Sequence, residues 1–316
     1  MKSSAAAPAA WPSLGFGAGL RAEHYLDVLG LGAGHEAGAL CGRPTVDWFE
    51  AISENYMDTG GRPLAILETV RRDYPIALHG VGLSIGSVDA LNEYYLERLS
   101  ALVRRIEAAL VTDHLSWTTI DGRSLFDLLP IPYTEEALAH VVARVRRTQD
   151  ALGRRILLEN PSTYIAYRSS MMPEHEFLAA VAEQADCGIL LDVNNVYVSA
   201  TNHGFDPLAY IDAIPAARVG QVHLAGHTDT GSYLFDTHSA PVADAVWDLY
   251  AHTVRRFGVV STLIEWDAEI PPLARLCEEV DRARQVANVA AGAGQGGALA
   301  EPGRSPALAR QADSRA

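Results

Sequence analysis

The chain has 316 residues, 48% of them hydrophobic, enough for one large domain with a substantial core; a single α/β barrel of roughly 250 residues fits that length. A formal net charge of −14 weighs against a general nucleic-acid binder, whose phosphate contacts need a basic face. No apolar run approaches the ~18 residues of a membrane span, so no membrane partner is expected.

At the N-terminus, MKSSAAAPAAW is broken by Pro8 and too weakly apolar for a secretory signal. Residues 1–13 read as a flexible N-terminus ahead of a single domain over 14–289. Cys41, Cys187 and Cys277 lie far apart with no CxxC pair. They read as small core or loop residues in a reducing compartment, so the expected location is the cytoplasm.

Short apolar runs then alternate with helix-period segments. In chain order the runs are LGFGAGL, WFEAISEN, IALHG, LVTDHLSW, RILLEN, GILLDVNN, VGQVHLAGH and STLIEWD, eight candidate strands. Between them, Ser87 to Glu107 and Thr134 to Leu152 carry Leu, Val, Ile and Ala at three- and four-residue spacing. Ser87 and Thr134 stand where N-caps belong, with Asp89 and Glu135 to Glu136 in the first turns. Strict alternation implies parallel strands joined by crossover helices, most simply a closed (β/α)8 TIM barrel, with an open doubly wound sheet as the alternative. The Gly-rich excursion from 30 to 45 interrupts this rhythm and suits a lid or a partner contact. The Gly-, Ala- and Pro-rich stretch over 290–316 reads as a disordered tail.

Barrel active sites form at the C-terminal ends of the strands, and ligand-type residues recur there. His79 closes IALHG, His114 sits in LVTDHLSW, Glu159 closes RILLEN, Asp192 interrupts ILLDVNN, His223 follows VGQV and Glu265 follows STLI. Asp236 and His238, at i and i+2 in LFDTHSA, project from the loop after the seventh run. Asn195 adds a neutral oxygen ligand. One buried histidine alone is more often a hydrogen-bonded core residue, and one carboxylate alone can pair with an arginine. Several unpaired carboxylates at one mouth are expensive to bury, and bound cations offset that cost. The nitrogen and oxygen set suits iron, manganese or zinc, and it is too large for one ion, so two or three are implied.

Glu54, Asn55, Asn160, Asn194 and Asp267 share the same strand ends and serve either as orienters of ligands, as substrate contacts or as loop caps. His227, in HLAGH, belongs with them. His24, His35, His140, His175, His203 and His252 fall in helices or loops and read as surface or structural. Gly80, Gly82 and Gly86 match neither GxxxxGK[ST] nor GxGxxG.

The order His79, His114, Glu159, Asp192, Asn195, His223, Asp236, His238, Glu265 resembles the trinuclear zinc site of endonuclease IV-type, xylose-isomerase-like barrels, where a histidine stands at the position of Asn195. A closer resemblance spans roughly Leu14 to Pro272. GFGAGLR, WFEAISENYM, ALHGVGLSIG, DHLSW, LLENPSTY, LLDVNNVYVSA, HLAGH and LIEWD look like the multinuclear non-haem iron-dependent oxidative enzymes, the family of MbnB and TglH.

That resemblance implies a barrel with two or three irons, as Fe(II)/Fe(III), and dioxygen as co-substrate. It implies a cysteine-containing ribosomal precursor peptide as substrate and a partner protein that helps present it. Carried over by position, His79, His114 and Glu159 hold one iron, and Glu159 bridges to a second held by Asp192, His223 and Glu265. Asn195, Asp236 and His238 form a third site. Ligand chemistry alone does not separate iron from zinc or manganese. Phosphodiester hydrolysis on the same cluster, sugar isomerisation and a non-catalytic metal-binding scaffold are the competing functions.

Overall fold

All eight apolar runs form strands that close into one parallel barrel. They are β1 (Phe16–Gly19), β2 (Trp48–Ile52), β3 (Ile76–Gly80), β4 (Leu110–His114), β5 (Leu157–Glu159), β6 (Gly188–Asp192), β7 (Val219–Leu224) and β8 (Ser261–Ile264). Each pairs with its neighbours in sequence, and β8 returns to β1 with Phe16 opposite Thr262. This computed structural model describes residues 10–31 and 45–296. Most of the 30–45 excursion, with His35 and Cys41, lies outside the described residues.

The crossover helices pack outside the strands because their apolar stripes have the sheet to bury against. Thr134 caps the helix Glu135–Leu152 as its sequence suggests, its hydroxyl accepting the Ala137 N–H at 3.2 Å, and Gly153 ends the helix in a left-handed conformation. Ser87 does not play that part. The helix there is Glu93–Ile106, capped by Asn92, whose side chain accepts the Tyr95 N–H at 3.1 Å.

The preceding residues are drawn instead to an antiparallel hairpin, Trp117–Ile120 with Arg123–Leu129, that the periodicity did not suggest. Ser87 donates its hydroxyl to the Thr119 carbonyl at 2.7 Å, and the Asp89 carboxylate accepts the N–H groups of Asp121 and Gly122. Asp121 and Gly122 both have positive φ, as a tight Asp-Gly hairpin turn requires.

The barrel interior is layered. Trp48, Ala77, Leu110, Leu157, Leu190 and Leu263 form an apolar floor at the N-terminal half of the strands. Trp11 closes it from below, so the segment read as flexible is ordered from residue 10 onward. A Cβ on Gly188 or Gly220 would stand 2.5 or 2.7 Å from the Trp11 ring, which explains why these positions carry no side chain. The Arg155 guanidinium stacks over the same ring at 4.2 Å. At the other end of the chain the helix Leu273–Gly296 runs past residue 290, since the alanines there favour helix; the remainder of the stretch read as a tail lies outside the described residues. Among the described residues no helix is long and apolar enough to cross a membrane.

Candidate metal centre

Strand geometry delivers the ligands. Side chains two apart on a strand share a face, so Thr112 and His114 continue the inward column begun by Leu110 on β4. Glu159 likewise follows Leu157, Asp192 follows Leu190, and Glu265 follows Leu263. The register sets His114 opposite Glu159 and Asp192 opposite His223. Glu265 N–H donates to the Leu224 carbonyl at 2.9 Å, extending the β7–β8 pairing just far enough to aim its carboxylate inward.

Glu159 lies at the centre. Its Oε2 is 3.4 Å from both His79 Nε2 and His114 Nε2, and its Oε1 is 3.8 Å from His223 Nδ1. The His114 Nδ1–H donates to the Gly80 carbonyl at 3.1 Å, and a carbonyl only accepts, so Nε2 is left with its lone pair toward Glu159. His79 Nδ1 is held 2.7 Å from the Thr112 hydroxyl. Both rings therefore present Nε2 to the same point. His223 faces carboxylates with both nitrogens, Glu265 at 3.0 Å from Nδ1 and Glu50 at 3.2 Å from Nε2.

His238 comes in from the loop after β7 with φ +46, a left-handed conformation that costs a non-glycine residue about 1–3 kcal/mol and clusters at functional sites. Its N–H donates to the Gly226 carbonyl at 3.0 Å, and its own carbonyl accepts the Asp267 N–H at 2.8 Å, so the surrounding backbone holds it. Its Nε2 lies 2.7 Å from Asp236, and its Nδ1 lies 3.0 Å from Asp267 and 3.4 Å from Glu265.

The electrostatics call for cations. Burial pushes the Glu159 carboxyl well above its usual range and Asp192 up to about 7. Burial, helped by the neighbouring His79, pulls His114 well below. Burial also opposes charge on His223, but Glu50, Glu265 and Glu159 override it and raise that imidazole well above its ordinary value. Glu265 is held well below the carboxylate range by His223 and His238 against the opposing effect of burial.

Glu159 Oε2, Asp192 Oδ2 and Asn195 Oδ1 are buried with no hydrogen-bond partner, an arrangement that costs about 1–3 kcal/mol per group unless something else ligates them. Three groups have donor atoms within 4.8 Å of one another: His79, His114 and Glu159; Glu159, Asp192, His223 and Glu265; His238, Glu265 and Asp267. These residues fit metal ions, and Glu159 and Glu265 are each shared between two groups.

The first two groups coincide with those implied by position; the third differs. Asp267 and Glu265 gather on His238 Nδ1, whereas Asn195 turns to the middle of the site, its Nδ2 donating to the Asn160 carbonyl at 3.1 Å and lying 3.4 Å from Glu159 Oε1. Asp192 caps the helix Val193–His203 by accepting the Asn195 N–H at 2.6 Å, which is how Asn195 reaches the centre. Asn160 exchanges two 3.0 Å hydrogen bonds with the Asp192 backbone, stitching β5 to β6 beyond the last ladder pair. His227 Nδ1 meets the Asn194 amide oxygen at 2.8 Å, and Asn194 Nδ2 donates to Asp236 at 2.7 Å, so both orient Asp236.

Asn55 turns away from the mouth, whereas Glu54 caps the loop after β3, one of the roles its position allowed. A short helix, Glu54–Met57, begins right after β2; Asn55 is exposed, and Glu54 accepts from Val81 N–H, Gly82 N–H and the Tyr95 hydroxyl. Four contributors escaped the sequence reading: Glu50, Gln221, Thr112 and Arg21. Gln221 donates to Glu50 at 2.5 Å, and Arg21 pairs with Asp267 while donating Nε–H to the Trp266 carbonyl. A carboxylate inside the apolar run WFEA was the available signal for Glu50. Of the histidines read as structural, His24, His140, His203 and His252 each have a hydrogen-bond partner away from the centre.

Among solved structures, a D-allulose 3-epimerase from Methylomonas sp. superposes with a TM-score of 0.56 at 14% identity, over 88% of this chain and 100% of its own. A xylose isomerase domain protein from Alicyclobacillus acidocaldarius gives 0.51 at 15%, over 87% and 99%. Those likenesses establish the fold, a xylose-isomerase-like TIM barrel. A UPF0276 protein of Anaeromyxobacter sp. (strain Fw109-5) is 60% identical over 286 residues, 90% of this chain and 97% of its own. One of Caulobacter vibrioides is 50% identical over 273 residues, 86% and 94%. The family model described as "RiPP precursor modification enzyme MbnB/TglH/ChrH" matches residues 15–288, which takes in the whole barrel and every residue of the centre. By that match, this chain belongs to the MbnB/TglH/ChrH family of RiPP precursor modification enzymes.

Proposed function

We propose that this chain binds iron in the centre and, with dioxygen as co-substrate, oxidatively modifies a cysteine of a ribosomally synthesised precursor peptide that a partner protein helps present. The observation that carries this reading is the position of Glu159, whose two oxygens face different ligand groups as a bridging carboxylate requires. His79, His114 and Glu159 would hold one ion, and Glu159, Asp192, His223 and Glu265 a second. A third would sit at His238 with Asp236 or with Glu265 and Asp267.

Bound iron supplies the Lewis acidity that lowers a thiol pKa and the redox capacity to react with dioxygen. The protein's own groups do the rest. Gly80 and Thr112 fix the two imidazoles so that Nε2 is the ligating atom, Glu50 and Gln221 hold His223 from behind, and Asn194 with His227 aims Asp236. In this reading the thiol is the substrate's; among the described cysteines Cys187 is buried just ahead of β6, at the opposite end of the barrel, and Cys277 lies on the last helix. The test is elemental analysis of anaerobically purified protein, followed by the mass of a cysteine-containing precursor co-expressed with it. About two or three irons per chain and an oxygen-dependent mass change localised to cysteine are expected. Zinc alone, an unmodified peptide and cleavage of abasic DNA would overturn the proposal in favour of the hydrolytic chemistry.

A further inference from the structure

A second cavity opens on the same end of the barrel, separate from the metal centre. Its walls come from the segment before the helix Glu135–Leu152, the long loop after β5, and the helices Val193–His203 and Pro207–Ala213. It measures about 330 Å³ and is lined mainly by apolar and aromatic side chains, among them Ile165, Tyr167 and Phe205. Thr163 and Ser199, hydrogen-bonded to each other, form its wall on the side of the centre. They lie four residues beyond Glu159 and Asn195 in the chain, Ser199 one helical turn after Asn195 on the helix Val193–His203.

The acidic groups of the lining are Glu174 and the more exposed Asp206. The Glu174 carboxylate accepts hydrogen bonds from the hydroxyls of Tyr133 and Tyr210, the latter at 2.7 Å. No ion pair to Glu174 is found among the described residues, and burial raises its pKa. His203, which also lines the cavity, is committed to Thr163 at 2.9 Å, and His175 packs edge-on against the Tyr210 ring at 5.3 Å. Two phenol donors favour the ionised carboxylate but do not cancel its charge. A carboxylate among aromatic faces, Tyr210 being stacked on Phe205 at 5.8 Å, in a lining whose only other carboxylate among the described residues is Asp206 and which holds no lysine or arginine, attracts an organic cation by both charge and ring quadrupole.

We infer that this cavity is a specificity pocket for a lysine or arginine side chain of the peptide substrate, its alkyl stem against the apolar wall and its cationic head on Glu174. The identification of the ligand as a peptide rests on the proposed function; the recognition of a cation does not. The cavity volume accommodates a long side chain, and a snorkelling basic residue matches a mainly apolar lining that also presents a carboxylate.

The metal-loaded protein is titrated with Nα-acetyl-lysinamide and with its neutral isostere Nα-acetyl-norleucinamide. Saturable binding of the lysine compound is expected, with the norleucine compound at least about tenfold weaker. Glu174→Gln, which keeps partners for both phenols, weakens the lysine compound by at least about tenfold at unchanged metal content. Phe205→Ala, which removes the ring stacked on Tyr210 but neither of the hydrogen bonds to the carboxylate, weakens it about threefold or more and serves if the first variant misfolds. Equal binding of the two amides, no saturable binding, or an unaltered Glu174→Gln titration overturns the pocket. Selective lysine binding beside an unmodified precursor peptide would instead leave the pocket standing and remove the oxidative reading.

Discussion

On β5, Leu157 and Glu159 point into the same barrel two residues apart, one in a dry apolar floor and the other among carboxylates and histidines. The floor is a close-packed layer sealed by Trp11, and its side chains gain stability by leaving water. The mouth gains none that way. Its buried carboxylates are unfavourable in the metal-free chain, and the barrel tolerates them because the floor and the helices outside hold the strands in place. One strand thus carries two functions, divided along its length.

That division is broken or kept by a paired substitution, which has the largest expected effects. Glu159→Ala removes the oxygens shared by two ligand groups, so metal per chain falls and activity drops by at least about 100-fold, beyond the loss typical of an outer-shell partner, while the protein stays folded. Leu157→Ala costs about 2–5 kcal/mol of stability and leaves the metal content of the folded protein unchanged. Elemental analysis and urea denaturation on both variants decide it. Full metal content in Glu159→Ala, or metal loss in a folded Leu157→Ala, would mean the two ends are not separable.

The mouth was more legible in the sequence than the floor. Six of the eight strand ends placed a His, Asp or Glu after an apolar run, and the period-two alternation of a strand made the inward direction readable, so His79, His114, Glu159, Asp192, His223 and Glu265 converge as their positions suggested. Trp11 was hidden because nothing local in AAWPS announces a partner, and its contacts with Gly188 and Gly220 are set only by closure of the barrel. Ser87 misled for a similar reason: its hydroxyl has a tertiary partner, Thr119, that outcompetes capping. Asn55 failed because β2 passes straight into a short helix, and helical rotation turns the residue outward to solvent.

A second test asks whether the mouth is unfavourable without metal, and pH supplies it. Burial raises Asp192 to about 7, against an unfolded value of about 3.9. Between those values the folded chain binds a proton that the unfolded chain does not, so the contribution of this group to stability falls as pH rises and is lowest above 7. Asp192→Asn carries no charge and still caps the following helix, since Asn and Asp cap about equally well. The metal-free variant should therefore be more stable than metal-free wild type by roughly 1–4 kcal/mol at pH 8, with the two converging near pH 4. A gap that is constant with pH would show that Asp192 is not charged and unpaired there.

The smallest expected effect falls at the boundary between the two regions. Glu50 follows Trp48 on the inward face of β2, so it stands one layer above the floor and directly behind His223. Its pKa is lowered because the adjacent imidazole overrides the opposing effect of burial, which marks it as ionised and as the carboxylate half of a carboxylate–histidine pair. Such a partner fixes the ring and increases its basicity without touching the ion. Glu50→Gln keeps the volume and the hydrogen-bonding capacity but removes the charge, and metal affinity should fall by about 10–100-fold, read by competition with a chelator. Metal-binding stoichiometry at saturation should be unchanged, unlike that of Glu159→Ala. If stoichiometry falls as well, Glu50 is itself a ligand, and the mouth reaches one layer deeper into the barrel than the strand-end residues indicate.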